Sequence, residues 1–295
     1  DQTLKALIET FRRTPERVFL VGVELKDRSS RELKDSLNEL GELAETAGGS
    51  CTWLEAKLYC ADLVLAGHDD WRVPSKIELE SILDDSRTGP AIDPTAFPDG
   101  LGFDEEGSFW SSSPVTGSAG YAWLTDFIDG KSYVDAISSS WHLVRCVRWK
   151  MMPLLATVPS GRYFIDPIES KVGDERTGLT WHRDLPPSYT GCTGTVGATG
   201  DSCTWEQAMS YCSDLPTRGG GWRVPTRKEL LTIIDPTRAE PAIDDIAFPS
   251  TPPVWFWSSS RVAGSFADAW IVGFDGGTSS WDGVSHDKYR VRCVQ

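Results

Sequence analysis

Trp205, Ala208, Met209 and Cys212 fall at helical spacing, so this stretch should bury one face of a short helix. Thr204 precedes it and Gln207 stands three positions on, which is a capping box. Thr52 and Glu55 repeat that arrangement earlier in the chain. A second helix follows in each half, marked by Leu79 with Ile82 and by Leu230 with Ile233. Ser75 and Thr226 are its caps, with Glu78 and Glu229 at the third position after each. Pro74 and Pro225 end the extended Trp-Arg-Val-Pro segments that lead into these helices. Further on the pattern changes to short strands and turns: FWSSS, then AWLTDFIDG or AWIVGFDGG, then a closing VRCV. Helices early and strands late predict an α+β architecture and not a doubly wound sheet.

The two halves are copies of one another. Cys51-Thr52-Trp53 recurs as Cys203-Thr204-Trp205, and Tyr59-Cys60 as Tyr211-Cys212. Trp71-Arg72-Val73-Pro74 recurs as Trp222-Arg223-Val224-Pro225, and Pro90-Ala91-Ile92-Asp93 as Pro241-Ala242-Ile243-Asp244. Phe109-Trp110-Ser111-Ser112-Ser113 recurs as Phe256-Trp257-Ser258-Ser259-Ser260, and Ala122-Trp123 as Ala269-Trp270. A spacing of about 150 residues means duplicated domains, since solenoid units are far shorter. Trp53, Trp71, Trp110 and Trp123 all have counterparts, which marks them as core residues. Arg72 and Arg223 are expected to serve the scaffold by satisfying carbonyls or a carboxylate.

Composition narrows the classes of function. The 295 residues carry 43 Asp and Glu against 29 Lys and Arg, a net charge of −14. That balance disfavours nucleic acid and anionic membranes as partners. No run of apolar residues is long enough for a transmembrane helix. Thirteen Trp, 27 Gly and 18 Pro point to a turn-rich, aromatic-rich protein.

The seven cysteines follow the repeat. Cys60 and Cys146 correspond to Cys212 and Cys293, so a helix-to-last-strand bridge in each copy is the simplest pairing. Cys192 and Cys203 suit a local bridge, and Cys51 is left without a partner in the chain. The alternative is a set of reduced, buried thiols in a cytosolic protein. No CxxC spacing supports a thiolate metal cage, and none of the four histidines lies in a metal pattern. No GxSxG surrounds either serine cluster, which suggests a hydrogen-bonded turn and not a nucleophile. The expectation is therefore no enzyme, no cofactor and no bound metal.

These motifs together resemble the Lcl C-terminal domain family. Its pattern is a GLTW strand, TWxxAxxYC, W-R-hydrophobic-P followed by E-L, PAID, WSS, AW and VRCV. The second copy carries it from Gly178-Leu179-Thr180-Trp181 to Arg292-Cys293-Val294, and the first only from Thr52 onward. The resemblance implies a C-type-lectin-like fold, a compact α+β domain whose termini meet in one sheet. It also implies an extracellular or cell-surface protein, with the periplasm as a further compartment, and a role in adhesion or ligand display toward glycan or protein. The calcium-binding EPN or QPD loop and WND strand of lectins are missing: Glu240-Pro241-Ala242 and Gly89-Pro90-Ala91 stand in the loop positions. Residues 17–49, with Val18–Val23 as an edge strand, look like the opening of the HflX GTPase family but no GTP-binding motif follows.

The expected organisation is thus a strand–helix segment over 1–50, a first lectin-like domain over 51–150 lacking the usual first strand, and a second over 161–295. Where the copies differ, function is more legible. Loops before each closing strand interleave aromatic and small polar residues, as adaptable binding surfaces do. The candidate ligand residues are Asp129, Lys131, Tyr133, Trp141 and His142 in the first copy. In the second they are Arg261, Asp275, Trp281, Asp282, His286 and Lys288. The offset between Trp141 and Trp281 differs from that of the flanking anchors, which favours loop positions for both. The competing expectation is a structural subunit of a surface filament, self-assembling through the N-terminal segment or Cys51.

Overall fold

The computed structural model describes residues 50–65, 67–97, 107–148, 161–195, 198–216, 220–285 and 289–295. The expectations for residues 17–49, and for His286 and Lys288, lie outside these residues. The described chain is mixed α/β, with short helices and small sheets arranged as two tandem domains.

In the first domain Thr52 caps α1 (Trp53–Asp62) through a complete capping box with Glu55. The strand β1 (Trp71–Arg72) leads into α2 (Lys76–Ser81), capped by Ser75 with Glu78. Then β2 (Ser108–Val115), β3 (Ser118–Asp126) and β4 (Ser132–Ala136) form an antiparallel sheet in that order. β5 (Val147–Arg148) closes the domain by pairing with β1.

The second domain opens with a sheet that the described part of the first does not show: β6 (Tyr163–Asp166), β7 (Lys171–Asp174) and β8 (Thr180–His182). A small hairpin follows, β9 (Gly194–Thr195) with β10 (Thr199–Ser202). Thereafter the plan repeats with α3 (Trp205–Ser213), α4 (Arg227–Thr232), β11 (Trp255–Arg261), β12 (Asp268–Gly273) and β13 (Ser279–Gly283). Both helices again carry complete capping boxes, Thr204 with Gln207 and Thr226 with Glu229.

Repeated residues make repeated contacts. Trp110 and Trp257 are fully buried, and their indole N–H groups donate to the carbonyls of Cys51 and Cys203, each at 2.7 Å. Trp53 and Trp205 donate to the carbonyls of Ser111 and Ser258 at 2.7 and 2.8 Å. These bonds tie the first helix of each domain to its sheet without leaving a buried donor unmet. Arg72 and Arg223 each make a two-pronged bond to the capping glutamate, Glu78 or Glu229. That glutamate also accepts the N–H of Ser75 or Thr226, so one carboxylate locks strand, cap and helix together. The closing arginine of the second domain, Arg292, is fully buried and donates to the carbonyls of His182 and Arg183, both at 2.8 Å, and to Thr251 Oγ1 at 2.7 Å.

Disulfides join Cys60 to Cys146, Cys212 to Cys293 and Cys192 to Cys203, and Cys51 is free. This is the pairing the repeat suggests. Burial first, and the nearby Glu55 second, push the Cys51 thiol up to about 11.

Three expectations need correction. The stretches expected as ligand loops contain strands, β4 and β13, which complete each three-stranded sheet. The serine triplets are not turns. They lie on β2 and β11 where the register slips, and Ser113 and Ser260 accept the first helical N–H groups, those of Lys76 and Arg227, each at 3.1 Å. The closing VRCV is barely a strand: two residues pair in the first domain, and in the second only bridges from Val294 to Trp181 and Arg223 form.

Candidate functional site

Most of the candidate residues collect along the outer strands of the two sheets and the turns that lead into them. Asp129 sits in the turn before β4, where its carboxylate accepts the Lys131 backbone N–H at 3.0 Å and faces the Lys131 ammonium at 3.2 Å. The Tyr133 hydroxyl also donates to it, at 3.1 Å. Burial, followed by the Asp129 charge, raises the Tyr133 phenol well above its ordinary value, so it stays a neutral donor. Lys131 then reaches out of its own domain, and its ammonium lies 4.1 Å from the centre of the Trp281 ring on β13. Such a cation over an indole face contributes about 0.5–1 kcal/mol where water still reaches it. Trp281 is 36% exposed and Tyr133 39%, so the aromatic edges of the group face solvent. The result is a strip of Tyr133, Asp129, Lys131 and Trp281 that crosses from one domain to the other.

The remaining candidates divide. Trp141 is exposed, on the approach to β5. His142 is drawn into the scaffold: its Nε2 meets Asp135 at 2.9 Å and its ring stands edge-on to Trp110 at 4.8 Å. Asp282 is drawn in likewise by the Tyr289 hydroxyl, and Tyr289 packs edge-on to Trp257 at 4.9 Å. Asp135 with His142 and Asp282 with Tyr289 are the same pair in two copies, and each shores up the buried Trp of its domain. Arg261 lies over the Trp205 ring at 3.9 Å and donates to the Phe266 carbonyl at 2.6 Å. Asp275 shapes the turn before β13 by accepting the Gly276 N–H at 3.0 Å.

The true counterpart of Trp281 is Val134, since Trp270 faces Trp281 across β12 and β13 just as Trp123 faces Val134 across β3 and β4. Trp141 is no relative of it. Nothing in one dimension signals that Lys131 and Trp281 meet, because the contact lies between domains. Among the described residues no group of three or more His, Cys, Asp or Glu is placed to hold a metal ion. No helix among them is long and apolar enough to cross a membrane.

The fold and this strip define a disulfide-bonded protein of two tandem α/β domains. Family comparison gives the class a name: the Lcl C-terminal domain model matches twice, over residues 30–148 and 170–295. The chain belongs to the Lcl C-terminal domain family, in tandem. A comparison with curated proteins gives no significant match.

Proposed function

We propose that this is a non-enzymatic binding or adhesion protein of the cell exterior, with two C-type-lectin-like domains that recognise glycan or protein. The observation that carries the reading is the strip of half-exposed Tyr133 and Trp281 with Asp129 and Lys131 between them. Flat aromatic faces beside fixed donors and acceptors suit a sugar ring or a peptide. The lectin-like reading draws support from the bonding of Gln295: it exchanges backbone hydrogen bonds of 3.1 and 2.8 Å with Thr180 on β8, so the closing residues join the sheet that opens the second domain. Three disulfides in a chain of this size favour an oxidising compartment, outside the cell or in a periplasm.

The test is a glycan array on the intact protein, repeated with Trp281→Ala and Lys131→Ala. Asp282 is left alone because it serves the scaffold. Saturable binding that falls about tenfold in both variants, with both still folded and unfolding cooperatively, supports the reading. Silence of the wild type on glycans and on surface-protein extracts, or full binding by both variants, defeats it.

A second reading is a self-assembling structural subunit. It rests on the outer face of α1, where Leu54 and Leu58 are 62% and 55% exposed, and on the free Cys51 just before that helix. Light scattering distinguishes the two readings: ordered oligomers without ligand binding favour assembly.

A further inference from the structure

The contacts between the domains come in matched pairs. Lys76, at the start of α2, donates through its ammonium to the carbonyl of Gly277 in the second domain at 2.8 Å. Arg227, at the start of α4, donates through its guanidinium to the carbonyl of Gly130 in the first domain at 2.7 Å. Lys76 and Arg227 are equivalent residues in the two copies, and so are Gly130 and Gly277. Each domain therefore extends a cation from the same position to the same turn of the other. Ser132 and Ser279, also equivalent, face one another at 3.0 Å. A residue that meets its own counterpart lies on a twofold axis, so the seam has the geometry of an isologous dimer interface within one chain. The tryptophans follow suit. Arg227 covers the Trp270 ring at 3.8 Å, and Lys76 lies 5.0 Å from Trp123. Gly130, at φ +76°, has the Trp270 ring so close that a side chain there would crowd it.

The symmetry fails in one respect, the acids. Glu80 on α2 is buried and pairs with Lys76 at 2.7 Å, while the hydroxyls of Ser132 and Ser279 lie against the same carboxylate oxygen. Asp85, after α2, pairs with Arg227 at 3.1 Å across the seam. Their counterparts in the second domain are Leu231 and Pro236. Of these four charged groups the first domain supplies both acids and each domain supplies one cation, so together they are neutral. Two second-domain faces brought together would bury two arginines and no carboxylate. Burial of unpaired charge is strongly unfavourable, whereas a paired charge adds selectivity more than strength.

We propose that this seam is a heterotypic docking surface: the first domain's face is built to take the second domain's face, and Glu80 and Asp85 make that pairing preferred over pairing of second domains with each other. The connecting residues 149–160 are then not what holds the domains together. This inference is independent of any ligand.

The experiment is a full-length protein carrying a protease recognition sequence within residues 149–160, cleaved after folding. No disulfide crosses the cut. Native mass spectrometry and gel filtration at micromolar concentration should show the two halves as a single one-to-one pair. Separation of the halves, or pairs of second halves, overturns the proposal. In the cleaved protein Glu80→Leu, which copies the second domain, should weaken the pairing about tenfold or more. If that variant does not fold, Asp85→Ala decides, because its side chain is at the seam and 18% exposed. It should weaken the pairing several-fold, and an affinity equal to wild type overturns the role assigned to the acids.

Discussion

Helices α1 and α3 hold the same place in their domains and present different outer faces. Both bury their inner positions, Ala56 and Cys60 in one and Ala208 and Cys212 in the other. Outward, α1 carries Leu54 and Leu58 where α3 carries Glu206 and Ser210, all four exposed. The chain before them differs too. Ahead of α3 it builds the β6–β8 sheet, bonds Cys192 to Cys203 and sets Tyr189 edge-on against Tyr211 at 5.0 Å. Ahead of α1 the described chain begins at residue 50, and Cys51 is in no disulfide. The comparison separates two kinds of constraint. Positions alike in both copies answer to the scaffold or to the seam that the domains share, and positions that differ answer to what lies against each domain from outside.

The equivalence of the scaffolds is most severely tested by removing disulfides. The Cys60–Cys146 and Cys212–Cys293 bridges span 86 and 81 residues. Cys60→Ala with Cys146→Ala, or Cys212→Ala with Cys293→Ala, should each destabilise its domain by about 4–5 kcal/mol on the chain-entropy account. Denaturant unfolding followed domain by domain checks this, and costs that differ widely would break the equivalence. Next in size is Arg292→Ala, which strips donors from two part-buried carbonyls and a buried hydroxyl. A loss of about 3 kcal/mol in the second domain alone is expected in chemical denaturation.

The arginine–glutamate locks sharpen the comparison on a smaller scale. Arg223 is 44% exposed against 26% for Arg72. Solvent screening should hold the cost of Arg223→Ala to about 1 kcal/mol or less, with Arg72→Ala somewhat above it. Burial raises the carboxyls of Glu78 and Glu229, but their arginines and the cap hydrogen bonds outweigh it and hold both below the ordinary 4.5. A depressed carboxyl stabilises the fold above its unfolded value, and that contribution is lost as pH falls through the folded one. Thermal stability should therefore decline as the medium is acidified below about pH 4.5, and Glu229→Gln should flatten the decline for the second domain. An unchanged acid profile in that variant would count against the lock.

The smallest effect is expected at the surface. Leu54→Glu with Leu58→Ser gives α1 the outer face of α3 and should change stability by no more than about 0.5 kcal/mol if water covers that face. A loss above about 1 kcal/mol means the leucines are covered, and a concentration-dependent loss identifies a second copy as the cover.

Much of this scaffold was legible in one dimension because its signals are local or duplicated. A capping box spans four residues, and Thr52, Ser75, Thr204 and Thr226 all behave accordingly. The cysteine partners are fixed by having counterparts. The outer strands were missed because their buried positions are serines. Ser132 and Ser279 sit against the other domain, so β4 and β13 lack the apolar alternation that marks a strand facing its own core. β6 and β7 were missed for their brevity, four residues each. The candidate site was legible in part: Tyr133, Asp129, Lys131 and Trp281 stand together, while His142 and Asp282 proved to be occupied in bracing Trp110 and Trp257.

The twofold relation between the domains has a consequence for valency. Rotation about the seam carries Lys131 onto Thr278 and Trp281 onto Val134. One flank of the molecule thus displays a cation beside an indole, and the other displays a hydroxyl beside a small aliphatic group. Although the chain contains its domain twice, it offers this strip once. Titration calorimetry with any ligand of the strip should return one site per chain, and multivalent attachment would have to come from arraying many chains on a surface.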